Sequence, residues 1–435
     1  MSIETNEKND LTRRKFIGNA AALSAFFIVP RFVLGGKGFT APSDMITLGC
    51  IGAGRQGVSL QKNFLNTGEA KIIAACDVYK AKVDGFVKQV NAFYAASAPQ
   101  TKYEGCRAYS NFMELLDQKD IDAVVIATPD HWHAAIVVRA AKAGKDIYSE
   151  KPLSLTVKEG RSMVDAVKKY KRVFQTGSMQ RSAPEFRQTA ELIRNGYLGD
   201  IKTVKVSIGG PPVIYDLPEE LLPEGLDWKT WLGPNEFVHF NHQLDPAIGD
   251  PVWGRWRDFK GLGGGDMTDW GAHMFDIVQW ALDMDRSGPV EIVPPDGKQI
   301  TALTYRYANG ITMTKEDFGK KHAIQFTGSD GQLEIQRGKL VTSNPSLKDK
   351  IIGPNEKHVY NSTNHYKDFL NAIRKRSEPV SDIETGHRSA TVCNIGNIAY
   401  EIKRPLQWNP VTEKFKNDDE ANKLLFRKMK KEWAV

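Results

Sequence analysis

The chain has 435 residues, 41% of them hydrophobic and 26% charged, the composition of an ordinary soluble protein with length for two domains. Its net charge of +7 is a mild excess spread along the chain, and no basic-aromatic patch argues for nucleic acid as a partner. The cysteines, Cys50, Cys76, Cys106 and Cys393, lie far apart with no C-x-x-C pair, which argues against both a disulfide framework and a metal site.

In chain order, the first element is an address. Arg13-Arg14-Lys15-Phe16 stands before an apolar, alanine-rich run over 18–29. Charged start and short apolar core together read as a twin-arginine signal over residues 1–36, with removal near 35–37 and the periplasm as destination. The run is too short for a permanent membrane span.

Residues 45–51 then form a strand-length apolar run that leads into Gly52-Ala53-Gly54-Arg55-Gln56-Gly57, the G-x-G-x-x-G spacing of a tight strand-to-helix turn. Gly52 permits the turn, Gly54 lets backbone N–H groups approach a pyrophosphate, and Gly57 lets the helix pack close on the strand. Phosphate would sit at the positive helix end. A second strand over 71–76 ends in Asp77, 20 residues beyond Gly57, where a carboxylate can accept from ribose hydroxyls and repel a 2′-phosphate. NAD is therefore expected rather than NADP, although Lys80 and Lys82 stand nearby. Because twin-arginine export moves folded proteins, the nucleotide is expected to be loaded before export and held tightly.

Further strands are predicted over 121–127, 146–149 and 173–176, alternating with helices over 80–95, 134–143 and 157–170. This alternation predicts a doubly wound α/β Rossmann sheet over 37–180. Residues at the ends of parallel strands line the crevice, which singles out Thr128, Pro129, Glu150, Lys151 and Gln180. His131 is expected in the loop, and His133 is expected to start the following helix near the cofactor.

Beyond residue 180 the pattern changes to an α+β domain over 181–435. A helix over 186–195 and a strand over 201–208 precede an irregular region, 209–261. Two alternating hairpins follow, around Asn309-Gly310 and Ser329-Asp330-Gly331, and predict a mostly antiparallel open sheet. Residues 342–361 read as a polar loop, 384–403 as a helix on the core, and the basic end 423–431 as a solvated helix face.

Two groups of residues could carry chemistry. Glu150-Lys151-Pro152 ends a strand beside the expected nicotinamide site, where Lys151 could hydrogen-bond a substrate hydroxyl and stabilise an alkoxide. Gly263-Gly264-Gly265-Asp266-Met267-Thr268-Asp269-Trp270-Gly271-Ala272-His273 places Asp269 and His273 four apart, on one face if helical, where the carboxylate could orient the imidazole. A structural Asp/His pair is the bland reading of the same spacing. Arg181, His242, Trp253, Arg255, Trp256 and Arg257 could form a sugar pocket, since aromatic faces suit sugar C–H surfaces, though ordinary packing explains any one of them equally well.

With its glycine turn at Gly52, Asp77, T-P-D-H-W-H from Thr128, E-K-P from Glu150 and the D-x-x-x-H pair Asp269/His273, the chain resembles the Gfo/Idh/MocA oxidoreductases over about 45–410. The resemblance implies that Lys151 and His273 are catalytic, that Asp269 binds or orients substrate, and that the bond before Pro152 is cis. It also implies a homo-oligomer built through the open sheet. Exported relatives share the twin-arginine signal. Some similar proteins are nucleotide-dependent glycosidases, so the expected activity is hydride transfer at a secondary hydroxyl of a sugar, polyol or glycoside, or a glycosidase acting by transient oxidation at C3. A non-catalytic sugar- or nucleotide-binding protein is the reading from another class.

Overall fold

The computed structural model describes residues 44–97 and 104–435, so the export signal read in residues 1–36 lies outside the described residues. Six strands form the first sheet: β1 (Ile46–Ile51), β2 (Ala70–Cys76), β3 (Arg107–Tyr109), β4 (Ala123–Ile126), β5 (Asp146–Ser149) and β6 (Phe174–Thr176). Their order is β3-β2-β1-β4-β5-β6 and every pairing is parallel. The winding reverses between β1 and β4, and a crevice opens at the strand ends there. Every residue of β4 and β5 is buried, and β4 is a continuous apolar run, as a parallel strand covered on both faces requires. Ile51 pairs with Ile126, so the segments that leave β1 and β4, Gly52 and Ala127, meet at the crevice floor.

The second sheet has nine strands: β7 (Ile201–Ser207), β8 (Glu291–Val293), β9 (Leu303–Arg306), β10 (Thr312–Lys315), β11 (Ala323–Gly328), β12 (Gln332–Gln336), β13 (Lys339–Thr342), β14 (Leu406–Asn409) and β15 (Lys414–Phe415). The order is β13-β12-β11-β7-β10-β9-β8-β14-β15, antiparallel except for β7 with β10. Both predicted hairpins are present, β9–β10 and β11–β12. The helices Pro184–Arg194, Gly271–Ala281 and Ile383–Ile402 share a core with this sheet, in which Phe186, Phe275 and Ile395 pack with Val204, Val206 and Tyr305.

Three segments differ from the sequence reading. The region read as a polar loop follows strand β13, which the sequence had hidden. A helix, His365–Lys375, starts on an Asn364 side-chain cap and carries Phe369 and Leu370 into the core of the first sheet beside Leu48, Phe64 and Tyr148. The basic end is not a helix face: the last α-helix stops at Lys423, and Arg427 turns inward to Glu159 at 2.8 Å and donates to the His131 carbonyl at 3.0 Å. A buried glutamate needs such a partner, and the local charge pattern could not show it.

Candidate active site

The glycine turn folds as its spacing requires. Gly52 has φ +96°, and a Cβ there would lie 2.6 Å from the Ala127 carbonyl group. At Gly57 a Cβ would lie 2.0 Å from the Gly52 oxygen, so helix and strand touch through hydrogen alone. Gly54 faces nothing within 4 Å and starts the helix Arg55–Leu65 without a side-chain cap, leaving an open, positively polarised helix end. Asp77 reaches back across this turn, accepting from the Ala53 N–H at 2.7 Å and the Tyr79 N–H at 2.9 Å. Gln56 donates to Glu150 at 2.8 Å and so ties the glycine helix to the end of β5.

Gly52, Ala53, Gly54, Gln56, Asp77 and Glu150 line a cleft of about 1040 Å³ that continues past Thr128 and Pro129 to Lys151, Asp269 and His273. Thr128 Oγ1 is buried there with no hydrogen-bond partner. An open helix end, a glycine without neighbours and an orphaned hydroxyl are what a bound dinucleotide would satisfy, so the residues fit that group.

At the far end of the cleft the peptide bond Lys151–Pro152 is cis. Lys151 Nζ donates to Asp269 Oδ1 at 2.5 Å and to the Asp269 carbonyl oxygen at 2.9 Å. Arg257 approaches the same carboxylate at 3.5 Å and lies over the rings of Trp256 (4.2 Å) and Trp253 (5.1 Å). Burial alone would raise the Asp269 carboxyl, but the charges of Lys151 and Arg257 outweigh it and hold the group well below the usual carboxylate range. His273 is buried, its Nδ1 has no partner, and burial, then Lys151 and Arg337, hold its pKa well below the ordinary value. A neutral imidazole, a paired ammonium and an ionised carboxylate therefore line one space.

The expected Asp269–His273 contact is not formed. The helix breaks at Trp270 into Asp266–Asp269 and Gly271–Ala281, and the carboxylate goes to the two cations instead. Arg181 does not reach the cleft: it is 1% exposed and forms a buried network with Asp276 (2.8 Å) and Asp285 (2.7 Å). His242 is held at the surface by Glu220 at 2.9 Å. His131 and His133 both lie in the first turn of the helix Asp130–Lys142, and neither lines the cleft. His133 lies between the Pro152 and Thr128 carbonyls at 3.0 Å each and, being neutral, donates to one of them, so it braces these two loops from behind the cleft. Gln180 is also behind, accepting from Arg337 at 3.1 Å.

Sequence reasoning missed Arg337, which lines the cleft 4.5 Å from the Trp270 ring centroid, because nothing in the hairpin that carries it distinguishes it from other surface arginines. It also gave no role to Asp130, whose carboxyl burial pushes up to about 8 against the charges of Arg257 and Lys151. Among the described residues no group of three or more His, Cys, Asp or Glu side chains is arranged to hold a metal ion.

Residues 46–178 match the GFO_IDH_MocA group described as an oxidoreductase family, NAD-binding Rossmann fold, and residues 213–435 match its counterpart, an oxidoreductase family C-terminal alpha/beta domain. The uncharacterized oxidoreductase YrbE of Bacillus subtilis is 30% identical over 169 residues, covering 39% of this chain and 46% of that protein. A glycosyl hydrolase family 109 protein of Shewanella sp. (strain W3-18-1) is 28% identical over 210 residues, 44% of this chain and 45% of its own. The chain thus spans about half the length of the curated relatives it matches. Among solved structures, the WlbA dehydrogenase of Bordetella pertussis, in complex with NADH and UDP-GlcNAcA, shares the fold at TM-score 0.57 and 18% identity, over 84% of this chain and 98% of that one.

Proposed function

The chain belongs to the Gfo/Idh/MocA oxidoreductase family, and from that premise we propose that it moves a hydride between NAD and a secondary hydroxyl of a sugar, polyol or glycoside. The observation that carries the reading is the convergence of Lys151, Asp269 and His273 on the cleft that begins at the glycine turn. Bound nicotinamide supplies the hydride acceptor or donor at its C4. Around it, the His273 imidazole takes the substrate hydroxyl proton, and Lys151 stabilises the alkoxide that develops. Asp269 positions Lys151 and can accept from a neighbouring sugar hydroxyl. Arg257, Trp253 and Trp256 form a basic and aromatic wall suited to a sugar face.

A second reading has its own support in the family 109 relative: a glycosidase that oxidises C3, eliminates the aglycone and returns the hydride. A stopped assay separates them. Net NADH from free sugars or polyols supports the dehydrogenase; aglycone release from glycosides with catalytic NAD and no net NADH supports the glycosidase. If neither occurs across a broad panel while nucleotide binds, the protein is a binding module.

Export also belongs to this proposal. Arg13-Arg14 before an apolar run supports the twin-arginine route, a periplasmic site and a nucleotide loaded beforehand. Cell fractionation of wild type and an Arg13→Lys/Arg14→Lys variant tests the route. Native mass spectrometry of the purified protein reads tight nucleotide binding and the expected homo-oligomer together.

A further inference from the structure

The region beside Asp77 holds opposed signals for the nucleotide: a carboxylate that repels a 2′-phosphate, and Lys80 and Lys82, which would attract one. In the fold both lysines are occupied. Lys80 pairs with Asp84 one helical turn on, at the surface. Lys82 turns inward, with its Nζ 2.6 Å from Asp245 Oδ1 and the two side chains only 6% and 14% exposed. Asp245 comes from the second half of the chain, on a loop that forms the outer wall of the cleft over the glycine turn.

The other oxygen of that carboxylate, Asp245 Oδ2, is buried and has no hydrogen-bond partner. Asp77, Lys82 and Asp245 all line the cleft, so two carboxylates stand against one ammonium there. Arg55, the remaining cation of the glycine turn, also lines the cleft but is engaged there: it donates to the Pro251 carbonyl at 2.9 Å and lies 4.8 Å from the Trp253 ring centroid. A buried carboxylate oxygen without a donor is costly unless a ligand supplies one. Vicinal ribose hydroxyls are two such donors, whereas a phosphate brings only further acceptors and charge.

We propose that Asp245 is a selectivity residue of the nucleotide site, receiving an adenosine ribose hydroxyl together with Asp77 and barring a 2′-phosphate, with Lys82 as its positioning residue. The protein then takes NAD(H) and rejects NADP(H) through a carboxylate supplied by the second domain. This rests on the nucleotide-dependent reading above.

The test is calorimetric titration of the full chain with NAD⁺ and with NADP⁺, on wild type and on Asp245→Asn and Asp245→Ser, with folding checked by circular dichroism. Wild type is expected to favour NAD⁺ by about 100-fold, and each variant to lower that ratio by about 10-fold, chiefly by tightening NADP⁺, as expected for one charge removed at short range. Lys82→Met should move the ratio the other way. A ratio unmoved in both folded Asp245 variants, or a wild type that binds both nucleotides equally, overturns the inference and leaves the oxidoreductase reading standing. A wild type that binds neither nucleotide overturns both.

Discussion

Lys151 Nζ lies 2.5 Å from Asp269 Oδ1 and 2.9 Å from the carbonyl oxygen of the same residue, so an ammonium group at the end of β5 is fixed by one residue of a helix from the second half of the chain. Two acceptors from one residue restrict the long lysine side chain to a single direction, toward the space that His273 also faces.

Replacing Lys151 with alanine should lower kcat by about 10² to 10⁴, the range of a lost proton-transfer or oxyanion-stabilising group, while the nucleotide Kd changes less than about threefold. Single-turnover kinetics and a nucleotide titration on the same preparation check it. Turnover of every substrate at the wild-type rate would remove Lys151 from the chemistry.

The three glycines of the turn should fail in different ways. Gly54→Ala adds a methyl group that meets nothing in the protein, so the variant should melt like wild type and bind nucleotide at least about 10-fold more weakly. Gly57→Ala puts a methyl group 2.0 Å from the Gly52 oxygen and should cost about 2 kcal/mol or more of stability. Thermal melts and nucleotide titrations of both variants distinguish the two effects.

Arg181 should behave as structure and not as a substrate contact. Removing it by Arg181→Met leaves Asp276 buried without its main partner, a change that costs about 3–5 kcal/mol. Urea denaturation should show that loss. In whatever fraction remains folded, the substrate KM should stay near the wild-type value, and a KM defect with unchanged stability would return Arg181 to the pocket.

Stability should fall as pH drops below neutrality, because several imidazoles are buried uncharged. Burial, against hydrogen bonds to backbone carbonyls, lowers His131 to about 3, His133 to about 4 and His365 to about 4. A histidine whose folded pKa is depressed contributes stability that is full above about 6.5, its unfolded value, and is lost as pH falls toward the folded pKa. At pH 5 each of the three should cost about 2 kcal/mol relative to pH 7. Urea unfolding at both pH values reads the sum, and His133→Gln should shrink the difference by about that amount.

Legibility followed the distance over which each signal acts. The glycine turn and Asp77 could be read because their geometry is set within one βαβ unit, and Glu150-Lys151-Pro152 because it sits at a predictable strand end. Asp269 and His273 were found by spacing, but their four-residue separation implies contact only on an unbroken helix, and the break at Trp270 with competition from Lys151 and Arg257 removed it. Arg181 was misread since its residue type suits a sugar pocket, while the carboxylates that claim it, Asp276 and Asp285, lie 95 and 104 residues further on. Asp245 and Arg337 carry no local mark at all, and Asp130, though it stands inside T-P-D-H-W-H, has no spacing that assigns it a role. They reach the cleft through the way loops and sheets pack, which no window of sequence contains.

The helix Ile383–Ile402 packs on Val157–Lys169 of the first half as well as on Gly271–Ala281 of the second, and His365–Lys375 fills the first core with Phe369 and Leu370. On a ribosome, then, the strands that make the nucleotide cradle emerge hundreds of residues before the side chains that seal their own interior. A fragment ending after β6 would expose Leu48, Phe64 and Tyr148 to water, so the order of synthesis and the order of closure are opposed, and the cradle waits for the end of the chain.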